Sequence, residues 1–110
     1  MVTALALKDA ALVNRVAILD CDAHYGDGTD SIISALGIDW IEHHTQGLQF
    51  GMAHNAANGA YELWLDTAIE KCKTCDVVLY QAGADPHVDD PLGGVLSTVQ
   101  MPVCGYRCST

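Results

Sequence analysis

The fold of this chain turns on residues 16–30, VAILDCDAHYGDGTD. Val16 to Leu19 form an uninterrupted apolar run, and Asp20, Asp22, His24 and Asp27 follow at once. Apolar residues without polar alternation, ended by turn signals, read as a strand covered on both faces, the pattern of a parallel sheet. Carboxylates crowded at the end of such a strand repel one another, so a cation is expected among them.

Working outward, the segment 3–13 is rich in Ala and Leu and predicts a helix broken at Asn14 and Arg15. The strand covers 15–21. GDGTDSIISALG then gives a Gly-rich loop, a cap at Thr29 and a short helix ending at Gly37. IDWIEHH reads as a second strand, and TQGLQFGMAHNAANGA as a long loop. From Tyr61, the residues Tyr61, Trp64, Leu65, Ala68, Ile69 and Cys72 recur at helical spacing, and 76–81 (DVVLYQ) predicts a third strand. Helices alternating with strands point to βαβ units, an α/β class and a parallel sheet. Ligands of such sheets sit beyond the carboxyl ends of the strands, where the acidic loops 20–28 and 83–91 fall. The last stretch, MPVCGYRCST, has no clear period. The domain reads as stopping before its architecture is complete.

Of the 110 residues, 50% are hydrophobic and 17% charged, which fits a packed globular chain. Five Lys and Arg against 14 Asp and Glu give a net charge of -9. That balance argues against nucleic-acid or anionic-membrane partners and suits a metal or a cationic substrate. No secretory signal or spanning segment is visible, and an odd cysteine count of 5 reads as reduced thiols, so a cytoplasmic location is expected.

Asp22 and His24 lie two positions apart at a strand end, so extended backbone would direct both side chains the same way. A carboxylate and an imidazole converging there suit a divalent transition ion such as zinc. Asp85, after Gly83 and Ala84, is the candidate third ligand, leaving a place for water or substrate. The competing reading of each is a cap, a turn or a satisfied polar group.

VAILDCDAHYGDGT together with VVLYQAGADPHVDDPLGG resembles the histone deacetylase family, in its bacterial-type and acetylpolyamine amidohydrolase neighbourhood. The resemblance runs from about residue 2 to 101, and the DAH run is also similar to arginases. It implies a three-layer α/β/α fold of the arginase/deacetylase kind, here incomplete, and a zinc-dependent hydrolase acting on acetyl-lysine or an acetylated polyamine. By position, Asp22, His24 and Asp85 match the zinc ligands. Asp20 and Asp27 match the carboxylates that orient two catalytic histidines. Asp20, with the backbone carbonyls of Asp22 and His24, matches a monovalent-cation (K+) site.

The family's His-His pair upstream of the D-x-H motif and its downstream tyrosine have no counterparts in this sequence. His43 and His44 read as strand-end residues near the monovalent ion and not as that pair, and Tyr106 follows Asp85 too soon. The resemblance thus implies a truncated deacetylase, inactive alone, with 1–101 as the central part of its domain and 102–110 as a divergent tail.

Lesser signals are weighed with their plainer alternatives. Cys72 and Cys75 form a CxxC at a helix end, where packing competes with a redox or zinc role. Cys21 should point into the core. Tyr25 replaces a second histidine. Phe50 either lines an acyl tunnel or packs, and His87 and Asp89 shape the loop around Asp85. Two rival functions stay open. A haloacid-dehalogenase-like phosphatase also places D-x-D after a strand, but wants Thr or Val where His24 stands. A non-catalytic remnant that binds metal or a partner is the other.

Overall fold

In a computed structural model, residues 1–49, 59–92 and 94–101 are described. The elements run α1 (Val2–Asp9), β1 (Val16–Asp20), α2 (Asp27–Ala35), β2 (Ile41–Thr45), α3 (Gln46–Gln49), α4 (Ala60–Cys72) and β3 (Val77–Gln81). The three strands form one parallel sheet in the order β2-β1-β3. Among the described residues no helix is long and apolar enough to cross a membrane.

The central strand explains its own composition. All five residues of β1 are buried, because both faces of the sheet are covered. On one face Val16 and Ile18 pack with Ala4, Val13 and Ile41, and with Leu7 of α1 and Ile33 of α2. On the other, Leu19 and Cys21 pack against Tyr61, Leu65 and Ala68 of α4 and against Leu96. The helices therefore lie on both sides of the sheet. Cys21 faces the core, as strand alternation predicts.

The predicted helix at 3–13 ends early, at Asp9. Ala11 takes a left-handed φ of 56°. The amides of Ala11 and Leu12 bond back to the carbonyls of Lys8 and Leu7 (3.0 Å each), a Schellman closure built on alanine. α2 stops in the same way at Gly37 (φ 59°), with Ile38 N–H on the Ile33 carbonyl at 3.0 Å. That ending is the one its glycine predicts. Thr29 does not cap α2: the N-cap is Gly26, with no side-chain cap bond, and Thr29 lies inside the helix. Asp27 and Asp30 occupy the first turn instead, where negative charge complements the helix dipole.

The register aligns Asp20 with Thr45 on one side and with Gln81 on the other, so the three strands end together. Beyond this line stand the two acidic loops.

Candidate metal centre

β1 ends at Asp20, and 21–26 turns across the carboxyl edge of the sheet. Asp22 Oδ1 accepts the His24 amide at 2.6 Å, a side-chain-closed turn of the kind Asp favours. The two side chains thus converge through a turn and not through extended backbone as the spacing alone predicts. Asp85 arrives from the loop after β3. Its Oδ1 accepts the Ala23 amide at 3.2 Å, and its Oδ2 lies 2.7 Å from His24 Nδ1. Asp22 Oδ1 is 3.9 Å from the same nitrogen. One ligand atom from each of Asp22, His24 and Asp85 lies within 4.8 Å of the others.

Backbone shape allows this convergence. A Cβ on Gly83 would stand 2.4 Å from Asp22 Cβ and 2.8 Å from Asp85 Oδ1, distances no real side chain holds. A Cβ on Gly47 would meet the His24 carbonyl carbon at 2.0 Å, so α3 backs directly onto the ligand loop. Behind Asp85, Leu96 N–H bonds the Pro86 carbonyl at 2.7 Å and Val88 N–H the Leu96 carbonyl at 2.9 Å. His87 is spent on this loop: Nε2 meets Thr98 Oγ1 at 2.8 Å and Nδ1 accepts the Asp89 amide at 3.1 Å. Both residues shape the Asp85 loop, as expected from the sequence.

The site opens to solvent at His24, whose side chain is 60% exposed, while Asp22 and Asp85 are 29% and 21% exposed. One imidazole and two carboxylates form a donor set that fits a borderline divalent ion, with room left in its coordination for water. A cavity of about 300 Å³ adjoins it, lined among others by Asp20, Asp22, Leu79 and Gln81.

Asp20 lies beneath the triad, buried, with Oδ1 accepting the Asp22 amide at 3.3 Å. Burial pushes its carboxyl above the ordinary range, against the opposing pull of that amide. Asp27, paired with Asp20 in the sequence reading, is exposed at the start of α2. Asp30, one helical turn on, also holds an imidazole: its Oδ1 lies 2.7 Å from His43 Nδ1. Its Oδ2 accepts the Tyr25 hydroxyl. Partial burial works against ionisation of Asp30, yet donation from Tyr25 and His43 holds its carboxyl below the usual range. The same bond raises the Tyr25 hydroxyl above its ordinary value. Sequence reasoning missed Asp30. Its one signal is the spacing from Asp27, which puts both in the first turn of a helix.

His43 and His44 stand on β2, as expected of strand-end residues. His44 Nε2 approaches Glu42 Oε2 at 3.4 Å, and Glu42 also pairs with Arg15. Cys72 and Cys75 are free thiols at the end of α4, joined through the Cys75 amide on the Cys72 carbonyl at 3.0 Å. Burial raises the Cys72 thiol to about 11, a buried packing residue's value and the opposite of a reactive thiol's. Phe50 and Tyr106, and the tail 102–110, lie outside the described residues.

Comparison with protein-family models, with curated proteins and with solved structures gives no match for this chain.

Proposed function

We propose that Asp22, His24 and Asp85 form the zinc centre of an amide hydrolase of the histone deacetylase kind, acting on acetylated lysine or polyamine, in an arginase/deacetylase-like fold. The observation that carries this reading is the meeting of two separate loops, from the ends of β1 and β3, in one cluster of mixed nitrogen and oxygen donors. Zinc held there would polarise an acyl carbonyl and bring a bound water's pKa to about 7.

The chain's own residues supply the rest. Asp85 braces the ligand loop through the Ala23 amide, and Asp22 fixes its turn through the His24 amide. Asp20 backs the Asp22 amide from below. Acidic side chains at the mouth favour a cationic substrate. Among the described residues the cluster contains one imidazole, His24, and it is spent as a ligand, which leaves the cluster no histidine for proton transfer. The 110-residue chain is accordingly proposed to bind zinc without turnover, which joins the deacetylase reading to that of a non-catalytic metal-binding chain. His24 also favours zinc over the magnesium of a phosphatase, since magnesium takes oxygen ligands.

Isothermal titration with zinc tests the centre. The wild-type chain should bind, and Asp85→Asn should weaken binding by at least about 100-fold, more than loss of a supporting residue costs. Magnesium-dependent phosphatase activity, or zinc binding indifferent to Asp85, would sink the reading. Hydrolysis of an acetyl-lysine peptide that vanishes with Asp85→Ala would refute the absence of turnover.

A further inference from the structure

Under the first turn of α2 lies a second set of polar groups that the triad does not use. Asp20 ends β1, His43 lies one strand over on β2, and Gly26 and Asp30 cover them from the start of α2. The His43 side chain is 3% exposed. Its Nδ1 stands 2.7 Å from Asp30 Oδ1. An ionised carboxylate can accept but not donate, so this contact puts a ring proton on Nδ1, and in the neutral ring Nε2 then carries the lone pair.

That lone pair has nothing to meet. His43 Nε2 is buried without a hydrogen-bond partner, and it faces Asp20 Oδ2 across 4.0 Å. The gap is too wide for a direct bond. Two buried acceptors facing each other call for a cation or a donor between them, because buried polar atoms are nearly always satisfied. The hydrogen bond on the far side of the ring favours the cation. Histidines that bind metals characteristically donate their other ring N–H to a carboxylate, as His43 does to Asp30.

Gly26 keeps the space open. A Cβ there would stand 2.8 Å from Asp20 Oδ2 and 3.1 Å from His43 Nε2, in the region both atoms face. We propose that Asp20 Oδ2 and His43 Nε2 form a second metal site, beneath α2 and separate from the triad, that takes a divalent ion of the zinc and cobalt class. An imidazole nitrogen beside a carboxylate selects such ions over K+ or Mg2+, which take oxygen donors. The K+ expected at Asp20 from the family resemblance gives way, in this reading, to a nitrogen-ligated ion.

Equilibrium dialysis of the full chain against zinc, counting ions per folded chain, tests this. The wild type should hold two ions. The double variant His24→Asn/Asp85→Asn should keep one, whose affinity then falls at least about tenfold with His43→Phe or with Gly26→Ala. Gly26→Ala would set a Cβ 2.8 Å from Asp20 Oδ2 and 3.1 Å from His43 Nε2, so it crowds both proposed ligands directly and must displace one of them. One ion that is lost with the double variant and indifferent to both other changes would support the triad and overturn the second site. One ion lost with His43→Phe and indifferent to the double variant would do the reverse. Should the double variant fail to fold, 15N-histidine NMR of the wild type decides: the His43 Nε2 resonance must move as zinc is added, and a fixed resonance overturns the site. Displacement of the second zinc by K+ at equal concentration would overturn the choice of ion.

Discussion

Gly83 is where chemistry and backbone meet most tightly. Its missing side chain lets the loop after β3 lie against Asp22, so Gly83→Ala should push Asp22 and Asp85 apart. The expected cost is about 1–3 kcal/mol of stability, as for other forced overpacking, together with weaker zinc binding. Urea unfolding and a zinc titration measure the two effects, and an unchanged affinity would show that the loops do not need this approach. At this scale the sequence is most readable where identity is chemistry: Asp22, His24 and Asp85 announce themselves as donors. Asp30 does not, because its task depends on where α2 sits over β2, and a carboxylate in a first helical turn has a sufficient reason to be there already. Gly83 is equally silent, since a loop glycine carries no record of what crowds it.

At the scale of elements, two helices that end with the same hydrogen bonds were unequally legible. Gly37 marks the end of α2 because glycine tolerates φ 59°. Ala11 makes the same ending at φ 56° against its own preference, so composition extends α1 past its true end. The strands were legible as strands because apolar runs between turns have few other uses, but β3 illustrates the limit. VVLYQ predicts a strand and not its position, and among the described residues it lies at the edge of the three-stranded sheet, with Val78 44% and Tyr80 39% exposed. Composition gives a strand's type, and neighbours give its place. β1 and β3 are tied at their starts by Asp76, which accepts the Asn14 and Arg15 amides at 2.7 and 2.9 Å. These two bonds hold its carboxyl below the ordinary range. A depressed carboxyl stabilises the fold above its unfolded-state pKa, and the contribution fades as pH falls through the folded value. Melting curves of wild type and Asp76→Asn should therefore differ at neutral pH and converge in acid. A constant difference across that range would remove the clamp.

For the whole molecule, the proposed centre joins distant stretches of chain: Ala23 and Asp85, linked by a hydrogen bond, are 62 positions apart. Zinc that binds the folded chain and not the unfolded one should raise Tm with concentration, reaching about 2.7 kcal/mol of stabilisation at 100 times Kd. A melting temperature indifferent to zinc would count against the centre. The parallel pairing of β1 with β3 has a further consequence. A peptide of residues 16–30 carries Asp22 and His24 but must find its third donor elsewhere, so its chelation should be far weaker than the intact chain's. Assembly of the sheet, and not the local motif, creates the affinity. Bound metal then becomes a gauge of integrity: any lesion that parts the two strands should empty the centre, even one at the far end of the sheet.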